Sequence, residues 1–220
     1  DRQTEVRTRL TSNTDERLAT QLDAIIERVR GNFSAKHAAR EQALTRSRDA
    51  IRHAALTIRA IHRGDTEQAA ALLAQCKAHV ETAREALTDH PDIYHAGFVH
   101  DAQKEYAEAS LTVALVRGEP LPTPEDLGVE YAAYLNGMGE AVGELRRYLV
   151  DGLRHGDLTR SEHLLAAMDD IYAVMVTIDY PDAITGGLRR TTDVTRGILE
   201  KTRGDLTVAA QQRQLEQRLE

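Results

Sequence analysis

The sequence predicts an all-α fold: six to seven helices, antiparallel where the loops are short, built around a long first helix. Three observations carry this expectation. Apolar residues recur at three- and four-residue steps along nearly the whole chain, the spacing that lines one face of a helix. No alternation of apolar and polar residues, the mark of a strand, survives beyond a few positions. The 41% hydrophobic content is mainly Leu, Ile, Val and Ala, with aromatics at 4% and no Trp, which favours helices over sheets.

Taken in order, the first helix carries Leu18, Leu22, Ile25, Ile26, Val29 and Phe33 on one stripe. Past Gly31 the pattern resumes through Ile51, Ala54, Ala55, Ile58 and Ile61 until Gly64-Asp65 stops it. The segment is one very long helix, or two with a kink near Gly31. A second helix covers about 66–88, with Leu72, Leu73, Val80 and Leu87 on its apolar side, and Asp89-His90-Pro91 breaks it. A third is expected over about 92–117. The stretch GEPLPTPEDLG, 118–128, holds three of the five prolines and is the clearest loop. Within it, Thr123, Pro124 and Glu125 read as an N-cap, a first-turn proline and an acid suited to the helix dipole. A fourth helix then covers about 125–154 and stops at His155-Gly156. A fifth covers about 159–179, and Pro181 restarts the chain as a sixth with a polar end.

A chain of 220 residues suits one domain, 1–220, with 1–45 as a helical arm. The first helix has more apolar surface than its own domain can cover, so self-association is expected. The single cysteine, Cys76, cannot form an internal disulfide, which points to a reducing, cytoplasmic setting. No apolar run approaches the length of a membrane span and no signal peptide is recognisable, although the first residue is not Met. The net charge of −7 argues against a generally basic nucleic-acid binder, but a local stripe can carry the other sign. Arg48, Arg52, Arg59 and Arg63, spaced by four, seven and four, draw such a stripe down the first helix. It reads either as a phosphate-binding face or as a set of salt bridges to neighbouring acids.

Candidate chemistry begins at KEYAEASL, 104–111. Glu105 and Glu108 lie on one helix face a turn apart. They are either a solvated face beside Lys104 or a pair of ligands for Mg²⁺ or Mn²⁺, hard cations that take oxygen donors. Asp101, one turn earlier, can join them. A further acid must come from another helix. Asp169 and Asp170 are adjacent, so about 100° apart on a helix, and at most one can face the pair. Glu140 and Glu144, one turn apart in NGMGEAVGELRR, either point inward or pair with Arg146 or Arg147. Gly137, Gly139 and Gly143 in the same stretch each cost about 0.5–1 kcal/mol relative to Ala in a helix. Close approach of another helix is the offsetting gain. There is no Glu-x-x-His pair, no Walker loop and no nucleophile elbow. Cys76-x-x-His79 lacks partner ligands and reads as core. His100-Asp101 resembles the doublet of HD-type phosphohydrolases, with His62 or His79 as the upstream histidine.

Four blocks, in this order and spacing, resemble the translin/TRAX family (TRAX being translin-associated factor X). They are RSRDAIRHAALTIRAIHRGD in the first helix, KEYAEASL in the third, YLNGMGEAVGELRRYLVDGLRHGD in the fourth and HLLAAMDDIYAVM in the fifth. The resemblance covers roughly 46–204 and is weak over the first 45 residues. It implies a translin-type bundle that assembles into a hollow, closed homo-oligomer, an octamer in the common case, around RNA or single-stranded DNA. TRAX-type subunits are Mg²⁺-dependent endoribonucleases; translin-type subunits bind nucleic acid without the acidic site. By the resemblance, the metal-binding and catalytic residues fall on Glu105, Glu108 and Asp170, with Asp169 next to the last. Both glutamates make the chain TRAX-like. The segment before the fourth helix is much shorter than in eukaryotic TRAX, and the compact chain is similar to archaeal members. The implied activity is Mg²⁺- or Mn²⁺-dependent cleavage of single-stranded RNA, with single-stranded DNA as a second substrate. Arg48, Arg52, Arg59 and Arg63 are then the candidate RNA-backbone contacts. The alternatives are a translin-like binding shell without catalysis and an HD-type nucleotide phosphohydrolase. With so few aromatics, base stacking is not the main binding mode.

Overall fold

The computed structural model describes residues 2–219, with side chains over 16–218. Among the described residues there are nine helices and no strand. They are α1 (Arg2–His62), α2 (Thr66–Glu85), α3 (Pro91–Tyr94), α4 (Phe98–Arg117), α5 (Pro124–Leu127), α6 (Tyr131–Arg154), α7 (Leu158–Val176), α8 (Asp182–Thr185) and α9 (Leu188–Leu219). The all-α class and the long first helix are as predicted. The additional three helices are the single turns α3, α5 and α8. Two of these end on a glycine in the left-handed conformation, Gly128 with φ 66° and Gly186 with φ 61°, which a side chain resists. The expected cap at Thr123 is present as a reciprocal capping box with Asp126.

Helix α1 passes Gly31 without a break. At 1.5 Å per residue it is roughly 90 Å long, far more than the other helices can cover. Its later half is built into the core: Ala43, Ala50, Ala54, Thr57, Ile58 and Ile61 are buried. Earlier on the same helix, Leu18, Leu22, Ile25, Ile26, Val29 and Phe33 are 40–65% exposed. Asp65 ends the run by capping α2, its carboxylate accepting from the Gln68 amide at 3.0 Å.

Helix α4 is the centre of the molecule. Thirteen of its twenty residues are buried, so neighbours surround it on most sides. That explains the many small side chains it carries (Ala102, Ala107, Ala109, Ser110, Ala114), which let α1 and α6 approach. One core cluster joins Ala50, Ala54 and Ile58 of α1 to Cys76 and Val80 of α2, Tyr106 and Leu111 of α4 and Tyr134 of α6. Another joins Val113 to Val142, Leu145 and Leu149 of α6, then Met168, Ile171 and Met175 of α7 and Leu199 of α9. Each fully buried side chain of this size contributes about 1.5–3 kcal/mol. Cys76 belongs to the core as expected: its thiol donates to the Ala50 carbonyl at 3.2 Å, and burial pushes its pKa up to about 12. Among the described residues, no helix is long and apolar enough to cross a membrane.

Candidate functional site

The site forms where α4 and α6 touch backbone to backbone. A Cβ placed on Gly137 would lie 2.6 Å from the Lys104 carbonyl oxygen and 2.9 Å from the Glu108 amide nitrogen. Only glycine permits that contact. Glu140 follows three residues later, on the same face of α6, and so points at α4. Glu105, Glu108 and Glu140 thereby bring one carboxylate oxygen each to within 4.8 Å of one another.

Charge in this cluster is poorly balanced. The Lys104 ammonium lies 2.7 Å from Glu140 Oε1 and 3.5 Å from Glu105 Oε1. Burial opposes its charge, but the hydrogen bond and charge of Glu140, then Glu105, outweigh burial and raise its pKa. Glu108 is only 9% exposed and takes no such partner among the described residues. Burial, followed by the charges of Glu105, Glu140 and Glu144, pushes its carboxyl up to about 8. Burial also raises Glu105, against the pull of Lys104. Glu144 behaves oppositely. It accepts from His62 Nε2 at 2.6 Å, and that bond holds its pKa below the ordinary carboxylate value despite burial.

A cavity of about 670 Å³ opens beside the cluster, between α4, α6 and the start of α9. Glu108, Glu140 and Lys104 line it together with Arg190 and His100. Asn136, 3% exposed, forms part of its wall. Its amide donates to the Ala132 and Thr185 carbonyls at 2.8 Å, and its oxygen accepts from the Thr191 hydroxyl at 2.6 Å. That residue therefore ties α6 to α8 and α9 and fixes the cavity's shape.

The predicted site residues divide accordingly. Glu105 and Glu108 come together. Asp170 does not join them: it is exposed on α7, whose inward face is Leu164, Met168, Ile171 and Met175. The third carboxylate is Glu140, from α6. Asp169 is taken up by an ion pair with Arg203. Arg147 reaches only to 3.8 Å of Glu144, and Arg146 pairs with Asp205 instead. Arg48, Arg52, Arg59 and Arg63 are all exposed, on the side of α1 opposite Ala50, Ala54 and Ile61. Arg52 is paired with Asp49 at 3.1 Å and Arg63 donates to Gln68 at 2.8 Å. Arg48 and Arg59 have no ion pair among the described residues. The histidines needed beside His100-Asp101 are elsewhere: His62 is on Glu144, and His79 stacks on His53 at 4.9 Å. Among the described residues, the group close enough to share an ion is the three glutamates.

Such a donor set is made of hard oxygens only, and two of its members, Glu105 and Glu108, are raised in pKa, first by burial and then by neighbouring carboxylates. It fits Mg²⁺ or Mn²⁺ and not a thiolate- or imidazole-seeking metal.

Fold and site together define a helical-bundle protein with a cluster of three carboxylates beside a cavity where α4 meets α6. No family model matches the chain. It is 36% identical to AfC3PO, with a TM-score of 0.79 both to AfC3PO alone and to its complex with duplex RNA; the likeness spans 86% of this chain and 97–98% of AfC3PO. The structure of apo-NeC3PO, 20% identical, shares the fold at a TM-score of 0.77 over 84% of this chain and 96% of its own. An uncharacterized protein of Methanocaldococcus jannaschii is 28% identical over 186 residues, 84% of this chain and 82% of the relative. The chain belongs to the translin/C3PO family.

Proposed function

We propose that this chain is a TRAX-like, Mg²⁺- or Mn²⁺-dependent endoribonuclease that works within a homo-oligomer. The observation behind this reading is the convergence of Glu105, Glu108 and Glu140 at a cavity wide enough for a nucleotide. A divalent ion in such a site supplies Lewis acidity and offsets charge at a phosphate. Glu105, Glu108 and Glu140 hold it. Arg190, exposed on the cavity's far side, faces a bound phosphate with positive charge. Asp170 has no part in this ligand set. The likeness to AfC3PO, solved with duplex RNA, supports RNA as the ligand class. The assay therefore carries single-stranded RNA, duplex RNA and single-stranded DNA in parallel. Cleavage of labelled RNA in Mg²⁺ that stops in EDTA is the expected result. Intact RNA in both Mg²⁺ and Mn²⁺, with binding retained, would assign the chain to the non-catalytic shell reading. That alternative draws on Lys104, which already neutralises part of the cluster.

The outer arginines of α1 contact the RNA backbone in this reading. Arg48→Glu combined with Arg59→Glu is expected to weaken RNA binding at least tenfold at low salt and to flatten its dependence on salt concentration. Filter binding across a salt series measures both. Unchanged affinity and slope would remove α1 from the interface.

The exposed stripe from Leu18 to Phe33 is covered by further copies of the chain. Light scattering is expected to give a mass of six to eight times the 24.4 kDa protomer. Leu22→Asp with Ile25→Asp should lower that mass, and a monomeric wild type at micromolar concentration would defeat the idea.

A further inference from the structure

We infer that Lys104 is a resident counter-cation of the carboxylate cluster, which a divalent ion must displace, so that this one lysine sets the protein's metal affinity. The inference rests on the metal-site reading above and concerns a residue that reading does not assign. Lys104 belongs to α4, but its ammonium reaches across to α6, 2.7 Å from Glu140 Oε1, while staying 3.5 Å from Glu105 Oε1. Among the described residues it is the cation within ion-pair distance of these glutamates: Arg147 lies against Glu144, and Arg146 against Asp205. The carboxylates it holds are two of the three that converge. An ammonium and a divalent ion therefore compete for the same two carboxylates. Holding both at once is disfavoured, because two positive charges a few ångströms apart in a half-buried cluster repel.

Displacement is sterically open. Lysine is a point charge on a flexible four-carbon stem, and it can leave a site by rotating that stem. Lys104 is 21% exposed and lines the cavity beside the cluster, so the ammonium has a solvated place to go. The metal-competent arrangement is one of two states. The population of the lysine-bound state lowers the apparent affinity for the ion by the same factor. Lys104→Gln abolishes the competing state and keeps the chain length nearly unchanged.

Calorimetric titration of the full chain with Mn²⁺ tests this. Lys104→Gln is expected to bind Mn²⁺ about tenfold more tightly than the wild type, from the loss of one unit of nearby positive charge. Lys104→Arg should stay close to the wild type, and Glu105→Gln should lose binding. Wild-type affinity, or weaker, in Lys104→Gln beside a clear loss in Glu105→Gln overturns the role of Lys104 and leaves the metal site standing. Absence of Mn²⁺ binding in the wild type overturns both. A second measurement needs no variant. The chain has four lysines, at 36, 77, 104 and 201, so amine-directed labelling can be mapped residue by residue. Mn²⁺ should increase labelling at Lys104 severalfold while Lys36, paired with Asp92 at 2.7 Å, stays constant as a reference. Labelling of Lys104 that ignores Mn²⁺ refutes displacement.

Discussion

Glu108→Gln is expected to make the metal-free protein more stable at pH 8, by roughly 4 kcal/mol, and to lower RNA cleavage roughly a thousandfold. The stability gain follows from the sign of one pKa shift. Burial first, and the neighbouring carboxylates second, raise Glu108 from 4.5 to about 8. Between those limits the folded protein keeps a proton that the unfolded chain has released. Stability therefore falls as pH climbs from about 5 to about 8, and levels off above that. Glutamine is neutral throughout, so the variant escapes the loss. The gap between variant and wild type should be wide at pH 8 and close to zero near pH 4.5. Chemical denaturation in EDTA at both pH values measures it, and an equal gap at the two would show that Glu108 carries no unbalanced charge. The catalytic loss has the same origin. In the proposed function the charge that destabilises the metal-free cluster is the charge that would hold an ion there, so its removal should lower the cleavage rate roughly a thousandfold. RNA binding through α1 should survive.

The pair Glu105 and Glu108 was legible in the sequence because a spacing of three fixes a shared helix face before any tertiary contact forms. The third carboxylate was not legible. Asp170 and Glu140 both stand among apolar residues on a helix, and spacing along the chain cannot say which helix crosses α4 or where. The missing Cβ at Gly137 decides it, by letting α6 approach at that level and turning Glu140 inward. The cost of a mid-helix glycine was visible in the sequence, but not the partner that justifies it. The same holds for Lys104 and Glu140, thirty-six residues apart, whose pairing exists only through that crossing. At the level of the fold, long helices were readable because their apolar period repeats over many turns. The turns α3, α5 and α8 were not, since a single turn has no period to read. The uncovered stripe on α1 was plain from sequence, because its apolar period over 18–33 extends a helix that is already longer than one domain can cover.

Gly137→Ala should be the most damaging of three glycine substitutions on α6, and the three together test whether the α4–α6 contact builds the site. At Gly137 the added methyl meets backbone: the Lys104 carbonyl at 2.6 Å and the Glu108 amide at 2.9 Å, with Ala107 Cβ also at 2.9 Å. Backbone inside a buried helix cannot step aside, so α4 and α6 must separate. The expected cost is about 3 kcal/mol, far above the gain of about 0.5–1 kcal/mol in helix propensity. At Gly139 the methyl meets Thr191 Cγ2 at 2.5 Å and Met175 Cε at 2.8 Å. The methionine end can move, but Thr191 is tied to Asn136, so about 1–2 kcal/mol is lost. At Gly143 the nearest atom is Ile198 Cδ1 at 3.8 Å, an ordinary contact, and the substitution should be neutral or stabilise by up to about 0.5–1 kcal/mol. Denaturant titrations should rank them in that order. The same crossing sets the distance from Glu140 to Glu105 and Glu108, so Gly137→Ala should also weaken Mn²⁺ binding while Gly143→Ala leaves it unchanged. A Gly137→Ala protein with wild-type stability and wild-type Mn²⁺ affinity would mean that backbone contact between α4 and α6 does not position the carboxylates.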